Sequence, residues 1–195
     1  MNSGAVTERK AEMSARFKAR IAGIFYLLTF VTGTVALVSV SGRLAANLVA
    51  TACYVVVALL FYDLFKPVNR SLSLLAAFFG LMGCVWAALT IFHLIPAHIN
   101  SLVFFGFYCL LIGYLIFRSA FLPRFLGALM AFGGLGWLTF LSPPLANSLS
   151  PYNLAPGMLG EGALTVWLLV FGVNEERWNE QAKAVGESRR SAVLQ

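Results

Sequence analysis

Residues 44–95 read LAANLVATACYVVVALLFYDLF, then KPVNRS, then LSLLAAFFGLMGCVWAALTIFHLI. Each of the two apolar runs exceeds the roughly 20 residues that an α-helix needs to cross the hydrocarbon core of a bilayer. The polar link between them carries Lys66, Pro67 and Arg70. This stretch therefore predicts two antiparallel transmembrane helices joined by a short basic turn.

Four more apolar runs extend the pattern, at residues 21–40, 102–117, 125–141 and 159–173. The last is short for a span unless its helix begins near Tyr152. The 195-residue chain is 59% hydrophobic and 11% charged, whereas about a quarter of the residues in an average soluble domain are charged. We therefore predict an all-α integral membrane bundle of about six transmembrane helices over residues 21–173. A basic segment, residues 1–20, precedes it, and a polar tail, residues 174–195, follows.

The basic residues divide the predicted loops into two groups. Thirteen of the 14 Lys and Arg residues lie in the N-terminal segment, the second loop, the fourth loop and the tail, and Arg43 alone lies on the other side. Cytoplasmic loops carry the Lys/Arg excess, so we expect a multi-pass protein of the cytoplasmic (inner) membrane with both termini in the cytoplasm. Because the basic residues are spread between apolar runs, they predict contact with membrane lipids and no nucleic-acid partner.

An internal repeat is visible when Arg70 is aligned with Arg124. RSLSLLAAFFGL then pairs with RFLGALMAFGGL, and 7 of the 12 positions are identical. Helices two and three are therefore expected to repeat helices four and five in the same topology, as in parallel repeats related by an axis along the membrane normal. Chance matching in a narrow apolar alphabet is the competing explanation.

Four segments carry a family resemblance: RIAGIFYLLTF, LFYDLFKPVNRSLSLLAAFFGLMG, FGFYCLLIGYLIFRSAFLPRFLGALMAFGGLG and LGEGALTVWLLVFGVN. In this order they resemble the DUF4386 family of bacterial and archaeal membrane proteins, over about residues 20–174. The resemblance implies a small multi-helix membrane protein and brings no established biochemical activity with it.

Glu161 is the acidic residue that the sequence places inside a span. Asp63, three residues before Lys66, is instead interpreted as part of a charge pair at a helix end. An ionised side chain within the membrane is costly, so such residues face the bundle interior or a water-filled cavity and indicate functional sites. Thr165, one turn beyond Glu161, is expected on the same face of the helix.

Other polar side chains are expected at a similar depth. Asn47 and Tyr54 share one face of the second span, His93 ends the third, and Tyr108 lies slightly deeper on the fourth. If these spans meet the sixth, they would form one ligand-binding pocket near the outer leaflet. The predicted ligand-binding residues are Glu161, His93, Asn47, Tyr108, Thr165 and Tyr54.

No cofactor or metal is expected. The sequence lacks a P-loop, a dinucleotide fingerprint, a CxxC pair and an HExxH helix. His93 and His98 are five residues apart across Pro96, which is not a helical pair of metal ligands. Cys53, Cys84 and Cys109 lie within apolar runs and are interpreted as packing residues.

The Pro-containing loop at residues 142–158 is either a lid or re-entrant segment over the pocket or an exposed linker.

Three functions fit these features. The preferred hypothesis is a bundle that binds or moves a small apolar or amphiphilic molecule, because apolar walls with a few converging polar groups are typical of such sites. The alternatives are a non-catalytic assembly or regulatory subunit and an intramembrane enzyme acting on a lipid or isoprenoid. Catalysis is the less favoured class, because one acid and two interfacial histidines form a sparse catalytic set.

Overall fold

The computed structural model of the protein describes residues 14–95 and 100–193, with side chains described as far as residue 187. Within these ranges the chain forms α-helices and no strand. The helices, in chain order, are α1 (Ala15–Val38), α2 (Arg43–Phe65), α3 (Arg70–Ile91), α4 (Leu102–Arg118), α5 (Arg124–Leu138), α6 (Pro143–Leu149), α7 (Leu154–Val170) and α8 (Glu175–Val193).

The prediction of an all-α membrane bundle is confirmed. By length and composition, α1, α2, α3 and the segment Arg124–Leu141 are long and apolar enough to cross a membrane. α4 is a shorter apolar helix of 17 residues, and α7, also of 17 residues, is long enough only together with α8, beyond a bend of 103°. Within the described residues, four helices, or five with this bent pair, could therefore cross a membrane, compared with the six predicted. Many Leu, Val and Phe side chains on the outer faces of these six helices are exposed, including Leu37 and Val38. Such a surface matches lipid tails and would be an aggregation liability in water.

The six long apolar helices form a closed ring. Each of α1 to α4 packs against the next helix in the chain, α5 packs against α7, and α7 packs back onto α1. Because the ring has an even number of helices, each helix can run antiparallel to both of its neighbours. Large side chains fill the centre of the ring, among them Tyr26, Phe61, Tyr108, Ile112 and Met130, each at most 1% exposed.

Glycines let the backbones of α4 and α5 approach closely. A Cβ atom added at Gly127 would lie 2.7 Å from the carbonyl oxygen of Gly113, and one added at Gly134 would lie 2.8 Å from that of Gly106. The contact between α4 and α5 is thus formed by two glycines on each helix, spaced seven residues apart. Close packing of this kind holds helices together where lipid removes the hydrophobic driving force between them.

The two predicted hairpins are present. α2 and α3 are joined by residues 66–69, and α4 and α5 by residues 119–123, so that α3 begins at Arg70 and α5 at Arg124. The aligned arginines therefore occupy the same position in each hairpin. Both turns lie at the end of the bundle where α1 begins and α7 ends, as the contact of Lys18 with Asp63 and the bond from the Asn174 N–H to the Phe121 carbonyl show.

The chain bends sharply between α7 and α8, so that α8 lies across the end of the bundle. Gly172 has a φ of 67°, a left-handed conformation that glycine adopts without strain, and α8 then runs at 103° to α7. The Trp178 indole N–H donates to the carbonyl oxygen of Leu64 at 2.8 Å, which satisfies one of the last carbonyls of α2. α8 is therefore packed across the end of the bundle that carries most of the basic residues, which we call the basic end.

Several predicted boundaries differ from the structure. α1 begins at Ala15 rather than residue 21, because Ser14 caps it by accepting a hydrogen bond from the Phe17 N–H. α7 begins at Leu154, which agrees with the longer of the two predicted helices, the one beginning near Tyr152. The predicted loop 142–158 includes the short helix α6. The tail predicted from residue 174 forms α8. His98 lies outside the described residues.

Candidate functional site

Glu161 lies on α7 inside the ring. It is 5% exposed and is seven residues from the start of α7, roughly 10 Å along the helix axis. The prediction that this carboxylate faces the interior rather than lipid is confirmed. Among the described residues, no Lys, Arg or His forms an ion pair with it.

Four helices direct hydrogen-bond donors at the Glu161 carboxylate. The Tyr26 hydroxyl on α1 donates to Oε2 at 2.6 Å, and the Trp137 indole N–H on α5 donates to Oε1 at 2.5 Å. The Tyr54 hydroxyl on α2 lies 3.4 Å from Oε2, and the Cys109 thiol on α4 lies 3.6 Å from Oε1. Hydrogen bonds to a charged acceptor are stronger than neutral ones, so these donors offset much of the cost of burying the carboxylate.

The local sequence of α7 explains how Trp137 reaches Glu161. Gly157 precedes Glu161 by four residues, so both lie on one face of the helix. A Cβ atom added at Gly157 would lie 2.1 Å from the Trp137 ring. The indole of Trp137 therefore lies against the backbone at Gly157, and its N–H donates to the Glu161 carboxylate, one turn further along α7.

The three buried tyrosines form an aromatic group beside the carboxylate. The hydroxyls of Tyr26 and Tyr54 are 3.4 Å apart, and their rings meet edge to face at 5.5 Å. Tyr54 also packs edge to face on Tyr108 at 5.6 Å. The Tyr108 hydroxyl is fully buried and has no hydrogen-bond partner within the part of the chain that the structure describes. Tyr54 thus contacts Glu161, whereas Tyr108 packs behind Tyr54 and is not among the residues that line the cavity beside Glu161.

Thr165 is buried on the same face of α7 as Glu161, but its hydroxyl does not bond to the carboxylate. It donates instead to the backbone carbonyl of Glu161 at 2.8 Å. This back-bond to the preceding turn is a common way for a membrane helix to satisfy a threonine hydroxyl.

Asn47 and His93 do not join the group around Glu161, which corrects the prediction of a single pocket. Both line a separate cavity at the end of the bundle opposite the basic end, where α2 begins and α3 ends. Asn47 lies seven residues before Tyr54, roughly 10 Å along α2. His93 follows the end of α3 with a φ of 55°, which turns the chain out of the helix. Asn47 and His93 therefore lie nearer that end of the bundle than the Glu161 group does, and the predicted common depth was wrong.

The sequence interpretation missed Tyr26, Trp137 and the role of Cys109. A tyrosine or tryptophan within an apolar run is itself a signal, because its O–H or N–H needs a partner when it is buried. Tyr26 lies near the middle of α1 and Trp137 near the end of α5. Their pairing with Glu161, however, depends on the order of the helices around the ring.

A cavity of about 340 Å³ lies beside the Glu161 group, in the half of the bundle opposite the basic end. Its walls are mostly aliphatic and aromatic, and its lining residues come from α1, α2, α4, α5 and α7. They are Thr29, Phe30, Gly33, Thr34, Leu37, Tyr54, Leu102, Phe105, Trp137, Leu154, Met158 and Glu161. Glu161 is the only acidic or basic side chain among these residues.

The cavity forms where α1 and α7 separate. Near the basic end they touch, since a Cβ atom added at Gly23 would meet Leu168 and Leu169 at 3.1–3.2 Å. At Gly33, ten residues further along α1, an added Cβ would meet no atom within 4 Å. The gap between the two helices therefore widens toward the opposite end and exposes one side of the Glu161 group.

The described residues contain no group of three or more His, Cys, Asp or Glu side chains that could hold a metal ion.

Comparison with known proteins identifies the family. Residues 39–99 and 97–172 match the family described as a domain of unknown function, DUF4386. The chain belongs to the DUF4386 family. An uncharacterized protein from Archaeoglobus fulgidus is 31% identical over 127 residues, which cover 60% of this chain and 76% of that relative. No solved structure matches the chain.

The two DUF4386 matches divide the bundle between its hairpins. The first contains α2 and α3, and the second contains α4, α5 and α7. Glu161, Trp137 and Cys109 lie in the second match, whereas Tyr54 lies in the first. The hydrogen-bond group of this DUF4386 protein therefore joins side chains from both matched segments and adds Tyr26 from α1, outside them.

Proposed function

We propose that this DUF4386 protein binds or moves a small apolar or amphiphilic molecule in the cavity between α1 and α7. The main support is a single observation: an apolar, partly open cavity has a buried carboxylate in its wall. Its volume of about 340 Å³ is at the lower end of the range typical of ligand pockets, roughly 300–1,000 Å³.

The chemistry of the lining favours one kind of head group. Glu161 accepts a close hydrogen bond at each oxygen, from Tyr26 and from Trp137. A carboxylate has about four lone-pair sites, and the remaining two have only the long contacts with the Tyr54 hydroxyl and the Cys109 thiol, at 3.4 Å and 3.6 Å. A ligand that donates a hydrogen bond or carries positive charge can replace these weaker contacts. Phe30 and Phe105 line the same cavity and offer ring faces to the apolar part of the ligand or to a cation.

Filling the cavity tests this proposal. Gly33→Leu places a side chain in open space within the cavity and is expected to remove a bound molecule without disturbing packing. Gly162→Leu is the matched control, because Gly162 also has no atom within 4 Å of an added Cβ but does not line the cavity. Each protein would be purified in mild detergent, extracted and analysed by mass spectrometry.

We expect a molecule near one per chain in the wild type and the Gly162→Leu variant, and at least a tenfold loss in Gly33→Leu. Equal content in all three proteins, or no retained molecule in any, would contradict the proposal.

A second function, as a non-catalytic assembly or regulatory subunit, is supported by a different observation. Glu161 already has donors from four helices of its own chain, which suits a purely structural role. If that is its role, Gly33→Leu leaves both small-molecule content and function unchanged. The enzyme hypothesis paired Glu161 with His93, and these residues line different cavities.

We also propose an orientation in the inner membrane with both termini in the cytoplasm, supported by the 13-to-1 partition of basic residues. The cavity between α1 and α7 would then face the outer leaflet. The three native cysteines are buried, so single introduced cysteines can report the topology. A membrane-impermeant maleimide is expected to label Asn147→Cys in intact cells and Glu176→Cys only after permeabilisation. The reverse labelling would overturn the orientation.

A further inference from the structure

The packing of α8 against the bundle creates a third cavity, at the basic end. It has a volume of about 600 Å³ and lies between the start of α1, the α2–α3 turn and α8. Four basic residues line it: Lys18 from α1, Lys66 from the turn, Arg70 from the start of α3 and Lys183 from α8. Cations from four separate parts of the chain thus face one space.

Asp63 neutralises only part of this charge. It forms ion pairs with Lys18 and Lys66, and no acidic residue is among the described residues that line the cavity. A lysine ammonium has three donors, so each lysine keeps donors for a ligand. In the part of the chain that the structure describes, Arg70 and Lys183 form no ion pair.

The start of α3 adds to the positive potential. α3 begins at Arg70 after the cap residue Asn69, whose side chain accepts from the Leu72 N–H. The N-terminal end of a helix attracts anions through its aligned dipoles and free N–H groups. Arg70 therefore places both a guanidinium and a helix N-terminus at the cavity.

The position of the cavity indicates where its ligand comes from. α8 runs at 103° to α7 directly after α7 ends, so it lies along the membrane surface if α7 crosses the bilayer. Tyr62 and Trp178 line the cavity, and these side chains favour the level of the lipid headgroups. An anionic headgroup is thus the ligand that reaches this space most directly.

We propose that this cavity binds the phosphate of an anionic lipid headgroup. Arg70 would hold it through paired N–H donors, with Lys18, Lys66 and Lys183 completing the site. Such fork-shaped contacts make arginine well suited to phosphate. The site is independent of the cavity beside Glu161, at the other end of the bundle.

Binding can be measured with the full-length protein in mixed micelles titrated with phosphatidylglycerol or with phosphatidylcholine. The test variant is Arg70→Gln with Lys183→Gln. The matched control is Arg118→Gln with Arg124→Gln, which removes the same charge at the same end but from residues that do not line the cavity. Arg124 is also the counterpart of Arg70 in the internal repeat.

We expect phosphatidylglycerol to bind more tightly than phosphatidylcholine to the wild type. Each basic residue near a membrane surface contributes roughly fivefold in affinity for anionic lipid, so the test variant should bind about 25-fold more weakly. The control should change less than about threefold, and thermal unfolding should show that both variants remain folded. Equal weakening in the two variants would overturn the proposal, because it would indicate general surface charge.

A second titration, with inorganic phosphate, shows whether the bound phosphate group belongs to a lipid or to a soluble ion. If the lipid supplies the phosphate, millimolar inorganic phosphate leaves phosphatidylglycerol bound. If inorganic phosphate binds by itself and the wild type does not prefer phosphatidylglycerol over phosphatidylcholine, the lipid assignment is overturned and the ligand is a soluble phosphate.

Discussion

Glu161→Leu is expected to lower the unfolding temperature of the detergent-solubilised protein by roughly 10 °C. The leucine leaves the Tyr26 hydroxyl and the Trp137 indole N–H buried without their acceptor. Each unsatisfied donor costs about 1–3 kcal/mol, so the free energy of unfolding should fall by about 2–6 kcal/mol. A thiol-reactive dye can follow the transition, because Cys53, Cys84 and Cys109 are buried until the bundle opens.

Glu161→Gln separates the role of the hydrogen bonds from that of the charge. The glutamine oxygen can accept from Trp137, and its NH₂ group can donate to the Tyr26 hydroxyl, which is able to accept. This variant should therefore unfold within a few degrees of the wild type. Leucine and glutamine variants of equal stability would show that the donors around Glu161 do not stabilise the fold.

Gly160→Leu is expected to disrupt the contact between α5 and α7. A Cβ atom at residue 160 would lie 2.3 Å from the carbonyl oxygen of Leu129, and a backbone oxygen cannot move aside by changing rotamer. Overpacking of this kind costs about 3 kcal/mol or more. Because α5 carries Trp137 and α7 carries Glu161, separating the two helices also breaks their hydrogen bond. We expect reduced yield and early melting in the dye assay.

Gly162→Leu is the control for this change. It lies two residues further along the same helix, where an added Cβ would meet nothing within 4 Å. The same substitution there should leave the unfolding temperature close to that of the wild type. Similar losses for the two variants would indicate that leucine harms α7 for reasons other than the approach of α5.

The helices could be predicted from the sequence to a large extent, because a bilayer requires long apolar segments and satisfied backbone groups. α7 begins at Leu154, close to Tyr152, where a helix long enough to be a span was predicted to begin. The start of α1 could not be predicted, because it depends on Ser14, which caps the helix ahead of the apolar run. Hydropathy does not record such features.

The candidate site was only partly predictable. Glu161 could be identified because a buried carboxylate in a span is costly wherever the helix lies. Its partners could not, because Tyr26 and Trp137 are brought to it by the order of helices around the ring. Asn47 and His93 were expected at the depth of Glu161 but line another cavity. Sequence gives position along each helix, whereas neighbours across the bundle depend on packing.

Occupancy of the cavity beside Glu161 is tested most directly by the indole N–H resonance of Trp137. The ¹⁵N-labelled protein would be compared after mild purification and after exhaustive washing that strips bound amphiphiles, with Trp137→Phe used to assign the signal among the 4 tryptophans. A bound molecule predicts a shift of the Trp137 resonance on stripping in the wild type. It also predicts no such shift in Gly33→Leu, where the cavity is filled. An identical Trp137 resonance before and after stripping of the wild type would contradict the proposed binding site.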